Sequence, residues 1–292
     1  MTSGFEVISC EHGHLQGWRP TAISNAVPHV APSEESRFFD YVVCTTKNIP
    51  DVGPSVCEII APAVTPGLTV IVLLQNGLNI EKPFLSRFPH NVILSGVSQI
   101  DAHEIAPGVI EQKGNDHLCI SAFRKNQVSE DIQQKATEEF LSIYGAGRRT
   151  TIRYEPDWEQ KRWRKLVYNA TLNPICALTR VNTGDLQICG GALDHLVVPA
   201  MQEVVKIARA VGVDLPKDVI ETAVRMYPVE NKICPSMQKD MQKGNLVEHE
   251  NLIGEVIREG QRRGIPAPIL SVLYELCSAV QWRTRKETEE RS

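Results

Sequence analysis

The sequence predicts an α/β protein in two parts, a sheet domain over residues 1–155 and an all-helical domain over 156–292. Three observations carry that expectation. Short apolar runs bounded by turn residues, such as Tyr41-Val42-Val43-Cys44 and 68–74, read as buried strands, and they fall before residue 155. Beyond it, apolar residues recur at helical spacing over long stretches. In the first of these stretches, 157–178, Lys165, Asn169 and Asn173 recur every fourth residue, which sets an amine and two carboxamides on one narrow helical stripe. Trp163, Leu166, Val167 and Ala170 point elsewhere on that helix and can face a core. Such a stripe can exchange hydrogen bonds with a small polar ligand, and spacing alone serves a solvated face equally well.

The whole chain narrows the field. Its 42% hydrophobic content and formal charge of −4 describe an ordinary globular protein and imply no nucleic-acid partner. The longest clean apolar run, 68–74, has seven residues, whereas a membrane span needs about 20. With no basic-plus-apolar leader before the first strand, a cytoplasmic location without membrane attachment is expected. The eight cysteines are scattered without a C-x-x-C, which reads as reduced packing residues, not disulfides or zinc ligands. His12 and His14 flank Gly13 in a turn, and no metal site is expected there or elsewhere.

Taken in order, 5–10 and 15–19 read as two short strands around the Glu11-His12-Gly13-His14 turn. Residues 25–37, with Pro28, Pro32 and the Ser33-Glu34-Glu35-Ser36 cluster, read as loop. Strand 41–44 then delivers Thr45, Thr46 and Lys47, at the kind of strand end where open parallel sheets present ligand contacts. A helix is expected over 52–63, and Pro66-Gly67 turns the chain into strand 68–74, which ends in Gln75-Asn76-Gly77. Taken alone, that tripeptide reads as a plain turn as readily as a ligand contact. A third strand follows at 92–97, and 109–112 with 118–123, separated by Gly114-Asn115-Asp116, predicts a hairpin. Ser129 caps a helix over 129–144 that Gly145 ends, and 150–154 is a last short strand before the boundary near Glu155-Pro156. Pro174 predicts a bend just beyond the polar stripe. Further helices are expected over 192–211, 216–227, 247–263 and 268–282, with the polar tail 283–292 frayed.

The pattern Trp163-x-Lys165-Leu166-x-x-Asn169-x-x-x-Asn173-Pro174 resembles the ketopantoate reductase family, and the likeness extends over nearly the whole chain. Gln75-Asn76-Gly77, the run from Pro235 through Ser236 to Asp240, and the run from Val247 through Glu248 to Gly254 resemble further family segments. The resemblance implies an incomplete Rossmann-like sheet domain followed by an all-helical 6-phosphogluconate-dehydrogenase-like C-terminal domain, with the site in the cleft between them. It implies NADPH-dependent reduction of a 2-keto acid such as 2-dehydropantoate, a step of pantothenate biosynthesis. In that scheme Lys165 donates the proton, Asn169, Asn173 and Ser236 hold the keto acid, Asn182 stands near the family's substrate asparagine, and Glu248 tunes the lysine. Lys47 and Asn76 would lie beside the NADP cofactor. A small-molecule keto acid is then the partner, and a homodimer is an assembly the family allows. Seen without the family, Glu248 is an acid in the first turn of a helix, favoured there by the helix dipole.

This chain departs from the pattern at Thr183, where the family carries its substrate asparagine, and at Val247, where it carries threonine. It also shows no strand followed by G-x-G-x-x-G, the motif whose helix N-terminus receives a pyrophosphate. The near match 145–150 follows a helix and precedes a strand, the wrong order for a phosphate cradle, and reads as a helix-ending turn. By the likeness, the first β-α-β unit and the basic residue that meets the 2′-phosphate are missing. The expectation is either a later start than the family's or a short form with crippled dinucleotide binding. A rival reading is a reductase-derived protein that has shed its cofactor and performs acid–base or cyclisation chemistry in a secondary-metabolite pathway. A non-catalytic binding protein is disfavoured by the intact polar stripe.

These readings predict that the 292-residue chain holds NADPH far more weakly than a family member that opens with the glycine motif. Titration of NADPH fluorescence measures this directly, and micromolar or tighter binding would mean that other residues supply the cradle.

Overall fold

A computed structural model describes residues 4–30, 38–123 and 127–290. The chain divides into two compact units. The first comprises Met1–Thr45, Val56–Gln75 and Glu81–Trp158, and the second comprises Thr46–Ser55, Asn76–Ile80 and Glu159–Ser292. The second unit therefore takes two short pieces from the amino-terminal half of the sequence. Among the described residues no helix is long and apolar enough to cross a membrane.

The first unit holds two sheets. Strands β1 (Phe5–Ser9) and β2 (Gly13–Trp18) form an antiparallel hairpin, which joins β6 (Ala102–Ala106) and β7 (Val109–Gln112) in the order β2-β1-β7-β6. Strands β3 (Tyr41–Cys44), β4 (Val70–Leu73) and β5 (Ile93–Gln99) run parallel, and β8 (His117–Ala122) and β9 (Thr151–Tyr154) complete the order β3-β4-β5-β8-β9. The apolar runs mark the middle of this sheet: Ile71, Val72, Leu73, Ile93 and Leu94 are fully buried. Helix α3 (Glu130–Tyr144) presses Ala136 and Phe140 onto it. Before that come two short helices, α1 (Val56–Ile60) and α2 (Lys82–Arg87). Of the expected loop 25–37, residues 25–30 carry no regular structure, and the remainder with its Ser-Glu-Glu-Ser cluster lies outside the described residues.

The expected hairpin of 109–112 with 118–123 does not form. Strand β7 pairs instead with β6, with Ala106 facing Val109 across Pro107-Gly108, and Gly108 takes φ +76° to close that turn. β8 closes the larger sheet antiparallel, with β5 as its partner and β9 on its other side. Gly114-Asn115-Asp116 is thus a passage from one sheet to the other, anchored by the Lys113 N–H on the Asp101 carbonyl at 2.8 Å. Residues Gly145–Gly147 form a single 3-10 turn after α3, and Arg148 takes the left-handed conformation at φ +53°.

In the second unit the key helix is two helices, α4 (Trp158–Asn169) and α5 (Leu172–Thr179). The break lies before Pro174, not after the stripe. Pro174 has no N–H to offer the Ala170 carbonyl, and in a straight helix its ring would collide with that carbonyl. The chain therefore breaks at Thr171 (φ −126°, ψ −80°) and restarts with Pro174 in the first turn, where a missing N–H costs nothing. Thr171 repairs the break by donating its hydroxyl to the Val167 carbonyl at 2.5 Å. There follow α6 (Thr183–Ile188), α7 (Val198–Ala210), α8 (Val219–Arg225), α9 (Ser236–Lys243), α10 (Glu255–Arg262) and α11 (Pro268–Glu289).

Helices α6 and α9 are additions to the expected set, and π-helical turns at Leu193–Val197 and Glu250–Gly254 lead into α7 and α10. The tail is not frayed at 283: α11 runs on to Glu289, with Thr284 buried, Lys286 over the Trp282 ring at 4.7 Å and an Arg283–Glu287 pair at 3.7 Å. Residues 291–292 lie outside the described residues. Trp163, Leu166, Val167, Met201, Ile207 and Leu270 belong to a large apolar cluster of this unit.

Gly184 shows how tightly these short helices sit. A Cβ there would lie 2.0 Å from the Val229 carbonyl oxygen, backbone that cannot swing aside. Gly184→Ala is expected to destabilise the protein by about 1–3 kcal/mol, lowering Tm by about 5 °C. Thermal unfolding followed by circular dichroism measures it, and an unchanged Tm would show that the 183–188 turn is not held against Val229.

Candidate active site

Lys165 lies on α4, one turn before Asn169. Its Nζ donates to Asn76 Oδ1 at 2.6 Å. Asn76 belongs to the short segment Asn76–Ile80, which is part of the same unit. Arg162, one turn earlier on α4 and also buried, donates to the Gly77 carbonyl at 3.0 Å and so fixes the residue next to Asn76. Burial, then the Arg162 guanidinium, pulls the Lys165 ammonium down to about 8, with Lys47 adding to the effect and Glu248 opposing it. An amine in that range holds its proton at neutral pH yet can give it up, which is what a general acid needs.

Glu248 is almost fully buried just before the π turn. Its Oε1 accepts the Asn48 backbone N–H at 3.0 Å, and its Oε2 lies 3.4 Å from Lys47 Nζ. Lys47 reaches Asp240 on α9 more closely, at 2.8 Å. Burial works against the Lys47 charge, but Glu248 and Asp240 outweigh it and hold the ammonium above its ordinary range. Glu248 thus does more than answer a helix dipole, since it grips the backbone and side chain of the segment that carries Lys47.

Asn169 keeps only 7% of its surface exposed, and its carboxamide makes no hydrogen bond to a described residue. Asn173 is differently employed. Across the break at Thr171 its Oδ1 accepts the Met237 N–H at 3.0 Å and its Nδ2 donates to Ser236 Oγ at 3.3 Å, so it caps α9. Ser236 itself stays exposed at the helix start. Asn182 is the N-cap of α6, its Oδ1 accepting the Asp185 N–H at 2.9 Å and its Nδ2 donating to the Asp185 carboxylate at 2.7 Å.

The fold therefore links Lys165 with Asn76, Lys47 with Glu248, and Asn173 with Ser236, whereas Asn182 is committed to its own helix. Besides Arg162, sequence reasoning missed three participants. Asp240 sat inside a motif already noted, but its partner Lys47 is far upstream. Asn48 gave no signal, and Asn251, inside the run from Val247 to Gly254, was not singled out, because their bond, Asn48 Nδ2 to Asn251 Oδ1 at 3.1 Å, is purely tertiary. His14 meets Glu6 at 2.6 Å, and among the described residues no group of three or more His, Cys, Asp or Glu could hold a metal ion.

A strand-rich unit and a helical unit whose lysine is paired with an asparagine define a two-part α/β protein. The comparisons agree. The model of the family described as ketopantoate reductase PanE/ApbA matches residues 2–125, and that of its C-terminal part matches residues 157–281. The uncharacterized protein YDL144C of Saccharomyces cerevisiae is 33% identical over 97% of this chain and 83% of its own. The 2-dehydropantoate 2-reductase of Halobacterium salinarum is 26% identical over 73% of this chain and 67% of its own. Among solved structures, the 2-dehydropantoate 2-reductase of Methylococcus capsulatus superposes with a TM-score of 0.78 at 26% identity, over 97% of this chain and 86% of that one. The chain belongs to the ketopantoate reductase family. Membership of that family supports a 2-keto acid reductase, an oxidoreductase.

The depressed lysine has a signature in stability. Its folded value, about 8, lies below the ordinary 10.5 of an unfolded chain. Below pH 8 both states carry the proton and the folded state bears the whole penalty. As pH rises from 8 towards 10.5 the folded state releases the proton first, so stability rises with pH across that window. Chemical denaturation at several pH values should show this rise in the wild-type chain relative to Lys165→Met. A constant difference between the two proteins would place Lys165 in ordinary solvent.

Proposed function

We propose that this protein reduces a 2-keto acid of the 2-dehydropantoate kind with NADPH, with Lys165 as the proton donor. The observation that carries the reading is the Lys165 ammonium, held 2.6 Å from Asn76 Oδ1 with its pKa drawn down to about 8. In the chain Lys47 and Asn76 follow β3 and β4, adjacent parallel strands in which Cys44 and Leu73 are in register. Carboxyl ends of adjacent parallel strands are where such sheets receive dinucleotides, so the residues present fit the nicotinamide end of the cofactor. Lys47 and Asn76 would stand beside it. When bound, NADPH supplies the hydride to the carbonyl carbon.

The chain's own residues do the rest. Lys165 gives its proton to the alkoxide oxygen as the C–O bond becomes single, and the amine is later reprotonated from solvent. Asn169, buried with an uncommitted carboxamide, offers a donor and an acceptor to the keto acid. Ser236, exposed at the first turn of α9 and oriented by Asn173, would meet the substrate carboxylate. Arg162 and Lys165 keep the surroundings of Asn76 positive, which favours an anionic substrate, while the Lys47 charge is answered by Glu248 and Asp240. The family likeness weighs against the cofactor-free reading, whose acid–base residues would be the same.

Activity is measured by oxidation of NADPH at saturating cofactor with 2-dehydropantoate. Lys165→Ala is expected to lower kcat by about 10²- to 10⁴-fold. Lys165→Arg should recover little, because a guanidinium keeps its proton and has another shape. Asn169→Ala should raise KM by about 10- to 100-fold with a smaller effect on kcat. All three variants should melt within a few degrees of the wild type. Full activity of folded Lys165→Ala would remove the proton-donor role.

A further inference from the structure

We propose that Asn251 is a positioning residue of this site: its one carboxamide ties together the two short segments that carry Lys47 and Asn76, and so fixes the acceptor against which the Lys165 ammonium is held. The inference rests on reading Lys165 as the proton donor.

Three contacts converge on Asn251, which is 7% exposed. Its backbone carbonyl accepts the Leu78 N–H at 2.8 Å, and its Nδ2 donates to the Leu78 carbonyl at 2.9 Å. Both main-chain groups of one residue are thereby taken, which sets the register of the segment and not merely its approximate place. A slip of one residue along an extended strand is about 3.3 Å, enough to carry Asn76 out of reach of Lys165. The third contact is the Asn48 carboxamide on Asn251 Oδ1, at 3.1 Å. Glu248, three residues earlier, holds the Asn48 N–H and Lys47. One turn of chain thus grips both segments.

The neighbouring residues are fitted to that grip. Gly77, between Asn76 and Leu78, has φ +105°, and a Cβ there would lie 2.6 Å from Asn251 Cβ. Only glycine allows the segment to lie this close. Asn251 sits in the π-helical turn Glu250–Gly254, from which its carbonyl reaches the Leu78 N–H. On the far side Glu250 accepts the Tyr274 hydroxyl at 2.5 Å and Arg258 at 2.8 Å, which stiffens the widened turn.

The test reads Lys165 directly. The intact chain is labelled with trace acetic anhydride over a range of pH, and the Lys165 peptide is quantified by mass spectrometry. Wild-type Lys165 should titrate at about 8. In Asn251→Ala the segment loosens, water reaches the amine, and its titration should move up by about one pH unit or more. In keto-acid reduction by the same variant, kcat should fall about tenfold or more, with a smaller change in KM. Gly77→Ala displaces the same segment while leaving the Asn251 carboxamide intact, and should act in the same direction. If Asn251→Ala does not fold, Asn48→Ala, which removes one hydrogen bond, carries the test with a smaller upward shift. Folded variants in which Lys165 titrates as in the wild type, with kcat unchanged, overturn the positioning role while the proton donor stands. If wild-type Lys165 itself titrates near 10.5 and Lys165→Ala retains turnover, the proton-donor reading falls and this inference with it.

Discussion

The nitrogen of Pro174 carries no hydrogen, and the layout of the site depends on that. A continuous helix from Trp158 to Thr179 would keep Lys165, Asn169 and Asn173 on one stripe. Because the helix must break at Thr171, the stripe divides into two kinds of residue. Lys165 and Asn169 remain on α4, the first bound to Asn76 and the second without a hydrogen bond to a described residue. Asn173 becomes the second residue of a new helix and spends its carboxamide on Ser236 and Met237, joining α5 to the start of α9. The same residue type, four positions on, thereby becomes a fastening between helices.

The charges form a second layer of the same design. Two carboxylates, Glu248 and Asp240, face Lys47, so its positive charge is neutralised within the protein. Lys165 is placed differently. Burial and the Arg162 guanidinium act against its proton, and Glu248 pulls the other way. Of the two lysines, one is therefore secured in its charged form and the other is poised to exchange its proton. The difference comes from neighbours, since the side chains are identical.

Much of this was legible from sequence where the determinant is local. The parallel strands announced themselves because a strand buried on both faces must be apolar along its length, as at Ile71-Val72-Leu73. Lys165 and Asn169 were visible because four-residue spacing is a property of one helix. What escaped notice depends on partners distant in sequence. Strand β6, with its largely exposed His-Glu-Ile segment, lacks an apolar signature, and the choice of β6 over β8 as the partner of β7 is settled by a Pro-Gly turn competing with a glycine loop. Asp240 and Asn251 have no periodicity to betray them. Asn173 was read as continuous with the stripe because the proline that follows it was taken to act after itself, whereas a missing N–H is felt four residues earlier.

The helical unit includes residues 46–55 and 76–80, and this limits what can be made of it as a module. A cut at the apparent boundary near residue 155 would yield a helical fragment that keeps most of its apolar cluster but loses Leu78 from it, with Lys165 deprived of Asn76 and Glu248 of Lys47. Such a fragment could be compact and still chemically empty. Exchange of carboxyl-terminal halves between relatives meets the same obstacle, because Leu78 and Asn251 must match across the splice. The two halves of the gene are thus constrained to change together at a handful of positions, even though each encodes most of a separately packed body. During synthesis, too, the amino-terminal pieces leave the ribosome long before residue 251 exists to receive them. The site is therefore among the last parts of the molecule to be assembled.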